Sequence, residues 1–321
     1  MRTYTGEPAD SPEKRDKEKT VIRYYDRNTK RFLSLGQGGS VSAIHRAVWA
    51  PEVTNREEGM HYVHDLIVKN ALQLQPELVV DLGCGIGGSM LYLASRCKAR
   101  FYGVTISRIQ AAAGALLIRE KEMDRRVVIE QRSYLDSSLY SLLEKNRGSG
   151  ACLFYGIESF LHTPSSEELL DHLGGFCRAG DVLIVCDDFL SVEWGEGPRG
   201  KPKTGGERTV SRKAVRMVSR FRRNWKAHGL ISAKQLILLA GRYGFQLKEN
   251  RNLTGFLELG RVRDKIIRFA VFFLVVLPFR PSWLENMIGG DALQYLLKRG
   301  TVEYRYLVFN KAPSQTHRHS C

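Results

Sequence analysis

Asp81 stands just ahead of the glycine run Gly83-Cys84-Gly85-Ile86-Gly87-Gly88, and a carboxylate at that spacing restricts what the glycines can hold. The apolar run Leu78-Val79-Val80-Asp81-Leu82 reads as a buried strand and residues 89–94 as helical, which puts the glycines at a strand-to-helix turn. Glycine there permits positive φ and lets a ligand touch bare backbone, while the helix N-terminus offers free N–H groups. Two ligand classes use this geometry. The string satisfies G-x-G-x-x-G, the dinucleotide pattern, and equally D-x-G-x-G-x-G. Asp81 would repel a pyrophosphate, but it can pair with a cationic sulfonium–amino acid ligand.

Other groups invite chemistry more weakly. His45 and Arg46 lie beside a glycine loop at 36–40, and Arg220, Arg222, Arg223 and Lys226 form a basic run. Arginine suits phosphate through its two-pronged geometry, although a solvated helix face explains the same run. His45 and Trp49 share a face if 43–51 is helical. Asp187 and Asp188 are two adjacent acids without a third partner, a poor octahedral site, so no metal is expected. Six scattered cysteines without C-x-x-C or zinc spacing read as reduced thiols, and the polar start at 1–20 as a mobile tail rather than a signal peptide; the expected location is cytoplasmic. A net charge of +15 admits nucleic acid, an anionic membrane surface or an anionic small substrate. No RNA-binding signature appears, so nucleic acid ranks last.

The elements that position these residues alternate. Strands are expected at 78–82, 101–105, 127–130, 151–155 and 182–186, with helices near 89–94, 110–122, 139–144 and 166–177. That rhythm indicates an α/β fold, a doubly wound parallel sheet with its site at the strand C-termini. Flanking it are a tail (1–20), an N-terminal helical cap (21–75), a core (76–190), a basic lid or insertion (191–231), a core return (232–254), a helical substrate cap (255–300), a last strand (301–311) and a tail (312–321). The apolar run 269–279 is too short for a bilayer; a buried cap helix, a greasy substrate wall and a membrane-touching lid all remain open for it.

With Asp81 before its glycines, the segment Gly103-Val104-Thr105-Ile106-Ser107-Arg108-Ile109-Gln110 becomes specific. Together they resemble class I S-adenosylmethionine (SAM)-dependent methyltransferases of the sterol, tocopherol and cyclopropane-fatty-acid group. The resemblance extends to Tyr24-Tyr25-Asp26 and to Glu158-Ser159-Phe160-Leu161-His162, and covers roughly residues 21–190 and 232–254. It implies a Rossmann-like seven-stranded sheet closed by an antiparallel last strand. It also implies SAM as cofactor and S-adenosylhomocysteine as product, held by Tyr24, Asp81, Gly83, Cys84, Gly85, Gly87, Thr105, Ser107, Gln110, Ser133, Tyr134 and Gly156. Ser133 and Tyr134 stand where the group usually carries an acid after the third strand.

Glu158, His162 and Tyr25 are the expected catalytic residues: an anion to stabilise a carbocation or take its proton, an imidazole one turn along, and an aromatic face. His45, Arg46, Trp49, Phe160, Phe221 and Trp225 are the expected substrate contacts. The implied activity is methyl transfer to carbon of an isoprenoid or other lipophilic small molecule, a prenyl diphosphate among the candidates, through a carbocation that loses a proton. The alternative is an O- or N-methyltransferase of a quinone, phosphobase or other small natural product. Peripheral membrane contact and homo-oligomerisation stay open.

Overall fold

A computed structural model describes residues 11–35, 45–194, 210–274 and 281–313. Helices α1 (Pro12–Leu35) and α2 (Arg56–Leu74) precede a regular alternation. It runs β1 (Leu78–Leu82), α3 (Gly88–Ala94), β2 (Arg100–Thr105), α4 (Arg108–Glu120), β3 (Val127–Gln131), α5 (Ser137–Arg147), β4 (Cys152–Ile157), α6 (Ser166–Phe176) and β5 (Val182–Leu190). There follow α7 (Arg212–Trp225), α8 (Ala233–Arg242), β6 (Phe245–Asn252), α9 (Val262–Leu274), α10 (Ser282–Lys298) and β7 (Val302–Lys311).

The strands make one sheet in the order β3-β2-β1-β4-β5-β7-β6. β1 to β5 are parallel, and β7 runs antiparallel to both of its neighbours, as expected. Chain order reverses between β1 and β4, and ligands of such sheets bind in the crevice outside the strand C-termini at that point. Side chains alternate across the sheet: Leu78, Val80, Phe154 and Leu183 pack toward α6 and α8, whereas Val79, Leu153 and Ile184 pack toward α2, α3 and α10. Both faces are therefore covered, which a parallel sheet requires.

Two further contacts hold the layers. Arg147 at the end of α5 is 1% exposed and donates to the Asp181 carboxylate at 2.9 Å and to the Phe176 carbonyl at 3.1 Å. Asp181 also accepts the backbone N–H groups of Cys152 and Arg178, so the buried carboxylate is well satisfied, while Arg147 Nε finds no partner among the described residues. At the other end, α7 crosses α10 at Gly289, where an added Cβ would lie 2.2 Å from Trp225 Cδ1.

Several expectations need correction. The tail expected over 1–20 is helical from Pro12; Lys14 pairs with Glu168 and Glu18 accepts from Ser133, so its charges anchor it to the body. Residues 45–50 are extended rather than helical, because their backbone bonds go to 256–257: Trp49 N–H donates to the Phe256 carbonyl and Val48 bridges Leu257. β5 continues past 186, which places Asp187 and Asp188 inside a buried strand. The buried-cap reading of 269–279 fails for its described part, where Val271 is buried but Phe269, Phe272 and Phe273 are exposed. The 36–40 loop and the glycine-rich part of the basic insertion at 195–209 lie outside the described residues. Among the described residues no helix is long and apolar enough to cross a membrane.

Because the 147–181 pair has no access to solvent, Arg147→Ala leaves an unpaired buried carboxylate. The expected loss of unfolding free energy is about 3–5 kcal/mol, read from urea denaturation; a loss under about 1 kcal/mol contradicts this role.

Candidate active site

A cavity opens at the carboxyl ends of β1, β2 and β4, roofed by α1. Asp81 forms its floor. The carboxylate is 3% exposed, no ion pair to it is found among the described residues, and burial raises it to about 7, an effect the Tyr155 hydroxyl partly offsets. Next to it the glycine turn behaves as its sequence suggests: Gly85 has φ +56° and an added Cβ there would meet nothing within 4 Å, so bare backbone faces open space. Gly83 and Cys84 also line the cavity. Gly87 is set back and caps α3 at φ 85°.

The second wall comes from the β2–α4 junction. Thr105 and Gln110 line the cavity, bonded to each other at 2.7 Å. Ser107 does not; it caps α4 and donates to Asp26 of α1 at 2.5 Å, tying the roof to the sheet. Ser133 and Tyr134 complete that side, Ser133 donating to Glu18 at 2.6 Å and Tyr134 to the Ser159 carbonyl at 3.2 Å.

Opposite stands Glu158, in left-handed backbone at φ 51°, a conformation uncommon for a residue with a side chain and characteristic of functional sites. One residue holds it there. Arg46 donates its backbone N–H and its Nε to Glu158 Oε1, both at 3.0 Å, and its two terminal nitrogens to Asp188 at 2.9 and 2.8 Å. The guanidinium also lies 4.3 Å from the Tyr304 ring centre. Burial pushes Glu158 up, but Arg46 more than offsets it and keeps this carboxyl below its ordinary range. Arg46 is thus not an open anion site, as expected from sequence, but a clamp on two carboxylates. Asp187 turns the other way, accepting the N–H groups of Leu161 and Asp188, while burial and the Asp188 charge push it well up. Among the described residues no group of three or more His, Cys, Asp and Glu side chains could hold a metal.

Aromatic and imidazole groups fill the remainder. Tyr24, Tyr25, His162 and Trp225 line the cavity, with the Tyr25 and His162 rings 5.3 Å apart. His162 is lowered to about 4 by burial, and its Nδ1 donates to the Lys226 carbonyl at 3.4 Å, which leaves a neutral ring with Nε2 as acceptor. Burial holds both tyrosines as phenols. The other expected substrate contacts lie elsewhere. Phe160 and Phe221 are buried in the core on opposite sides of the sheet, and Trp49 is tied to 256 through its backbone N–H; Gly156, expected at the cofactor, is a close-approach point in β4 beside Ser159.

Sequence reading missed two features. Glu18 and Val21 join the cavity because α1 begins earlier than expected, although the spacing Glu18, Val21, Tyr25 is that of one helical face. Behind His45 runs a row of imidazoles: His45 Nε2 is 2.8 Å from His64 Nε2, and His64 Nδ1 is 3.0 Å from His61 Nδ1. His45 Nδ1 faces the Arg46 carbonyl, which can only accept, so the neutral tautomers are ordered from half-buried His61 inward to the cavity. His64 Nε2 also meets Ser89, another cavity residue, at 2.9 Å. No motif spacing signals this row, because its members come from 45 and from two turns of α2.

No family model matches the chain. It is 29% identical over 155 residues to a probable chloroplastic tocopherol O-methyltransferase of Oryza sativa subsp. japonica, covering 48% of this chain and 39% of that protein. It is 23% identical over 193 residues to 24-methylenesterol C-methyltransferase 3 of Arabidopsis thaliana, covering 60% and 48%. The chain spans about half or less of the length of these curated relatives. Among solved structures, geranyl diphosphate C-methyltransferase of Streptomyces coelicolor A3(2), in complex with Mg2+, geranyl diphosphate and S-adenosyl-L-homocysteine, superposes with a TM-score of 0.60 at 15% identity, over 95% of this chain and all of that one. The fold is that of the class I methyltransferases. In this methyltransferase fold the cavity just described occupies the switch point between β1 and β4.

Asp81 has a definite pH signature. Its native pKa of about 7 lies above the ordinary 3.8, so the group binds more protons folded than unfolded, and its share of stability is lost as pH rises between those values. In the ligand-free protein the stability of Asp81→Asn relative to wild type is expected to climb from pH 4 to 7 and level off above. A pH-independent difference in denaturation midpoints contradicts the assignment.

Proposed function

We propose that this chain is a SAM-dependent methyltransferase that methylates carbon of an isoprenoid or similar lipophilic small molecule. Glu158 carries the reading: an anion in left-handed backbone on the wall of a cavity that also presents phenols, an indole and neutral imidazoles. The residues suited to the cofactor are Asp81, facing a cationic amino acid end, the open backbone at Gly85, and the polar pair Thr105 and Gln110. When bound, SAM supplies an electrophilic methyl group.

What the chain's own residues add is charge control and proton handling. Once the acceptor's π pair has formed the new carbon–carbon bond, positive charge develops on the neighbouring carbon. Glu158 offsets it through space, helped by the π faces of Tyr24, Tyr25 and Trp225. The C–H pair then becomes the new double bond and the proton passes to Glu158. His45 stands beside Glu158 and its ring feels that charge, but its Nδ1 is spent on the Arg46 carbonyl and its Nε2 on His64, so the proton is held at Glu158. Walls of this kind also exclude water from the reactive carbon.

The diphosphate end of the expectation finds less support. Among the described cavity residues Arg132 is the one arginine or lysine, and it already pairs with Glu130 and Asp136. An uncharged lipophilic acceptor fits better. A phenolic oxygen acceptor is the second reading, favoured by the tocopherol O-methyltransferase likeness and equally served by Glu158 as base.

The test is incubation with methyl-labelled SAM and a panel of sterols, phenolic quinols and prenyl diphosphates, with product mass and label position read out. Label on carbon of a neutral isoprenoid is expected; label on oxygen or nitrogen overturns the carbon assignment. Glu158→Gln is expected to lower kcat at least 100-fold with SAM affinity changed less than about threefold.

A further inference from the structure

One face of α9 has no partner among the described residues and is built from large apolar side chains. Val262 is 73% exposed, Ile266 63%, Phe269 69%, Phe272 74% and Phe273 56%. At 100° per residue, Val262, Ile266, Phe269 and Phe273 fall within about 60° of one another and Phe272 extends that arc to about 120°. The opposite side of the helix is occupied: Val271 packs with Leu284 and Ile288 of α10, and Ile267 and Leu274 join that small cluster. α9 is therefore apolar on two sides, one fixed to the body and one turned outward.

The charges around the exposed ridge have one sign. Arg263 borders it on one side and Arg268 on the other, while Lys265 lies within the arc between Phe269 and Phe272, all three exposed. The acid of the same helix, Asp264, is 9% exposed and turned inward, accepting the N–H groups of Gly260 and Arg261. Arg268 meets Asp291 at 3.1 Å and Arg263 approaches Asp264 at 3.9 Å, while Arg261 is occupied by Glu258. Trp283, at the start of α10, adds a further half-exposed aromatic ring. An apolar ridge flanked by long cationic side chains is the pattern of a helix lying in a membrane interface, its ridge among acyl chains and its cations at headgroup level.

We propose that the exposed face of α9 docks this protein onto an anionic phospholipid surface. The choice of occupant rests on charge complementarity. A second copy of this chain would bring Arg263, Lys265 and Arg268 against their own duplicates, whereas anionic headgroups neutralise them, and a net charge of +15 strengthens the attraction. The proposal stands apart from the methyl-transfer reading, and its test needs no turnover.

The experiment is co-sedimentation of the full chain with vesicles of phosphatidylglycerol and phosphatidylcholine, against phosphatidylcholine alone, over a range of salt. Binding to the anionic vesicles that weakens with salt is expected, with at least a tenfold lower partition coefficient for the Phe269→Asp/Phe273→Asp double variant. Arg263→Glu/Lys265→Glu is expected to lose the anionic preference. As a readout independent of affinity, Phe272→Trp fluorescence should shift to the blue on vesicles and be quenched by brominated acyl chains. Circular dichroism checks that the exposed-site variants stay folded. Equal vesicle binding by the double variant, no binding by wild type, or a dimer in sedimentation that the double variant dissolves without any vesicle binding would each overturn the proposal.

Discussion

The Arg46 guanidinium fastens the extended segment after α1 to the sheet where β4, β5 and β7 lie side by side. It comes from the extended segment after α1, forks onto Asp188 in β5, reaches Glu158 beyond β4 and rests on the Tyr304 ring of β7. Burial opposes its charge, and the two carboxylates more than offset that, holding the guanidinium protonated. A buried pair with one member removed leaves an uncompensated charge, so the three groups stand or fall together. The same contact favours the ionised form of Glu158, whose left-handed backbone also donates its N–H to the Cys186 carbonyl at 2.8 Å. Burial alone would push Glu158 up instead.

Around that anion the cavity sorts its titratable groups by environment. Asp81 is buried without a cation and sits near neutrality, ready to ionise when a positive ligand arrives. Glu158 is buried with a cation and is already ionised. The imidazoles of His45, His64 and His162 are pushed down by burial and stay neutral, adding no charge beside the two carboxylates. Two carboxylates of ordinary chemistry are thereby given different tasks, one toward a cofactor and one toward a developing cation.

The core of this arrangement was legible in the chain. LVVDL followed by glycines, with strands recurring at parallel-sheet spacing, specified the turn and the crevice. The hydroxyl pair Thr105 and Ser107 with Gln110 located the second wall, although Ser107 serves as a helix cap. What was not legible depended on contacts between distant segments. The polar composition of 11–20 reads as tail because nothing local shows that Lys14 and Glu18 find partners at Glu168 and Ser133. Arg46 looks like an anion ligand until its two carboxylates, 112 and 142 residues away, are seen beside it. Phe160 and Phe221 have the composition of a substrate wall but fall on core-facing positions. The apolar run in α9 was ambiguous because burial of a hydrophobic helix depends on which neighbours exist, and here one side has none among the described residues.

The claim on which the rest depends is that Arg46 keeps Glu158 ionised. A carbon-13 titration of the Glu158 carboxyl, by selective labelling in wild type and in Arg46→Gln, measures this without requiring a substrate. The expected midpoint in wild type lies below the ordinary 4.5, with a rise of at least about one pH unit in the variant. Superimposable titration curves, or a wild-type midpoint above 4.5, would contradict it.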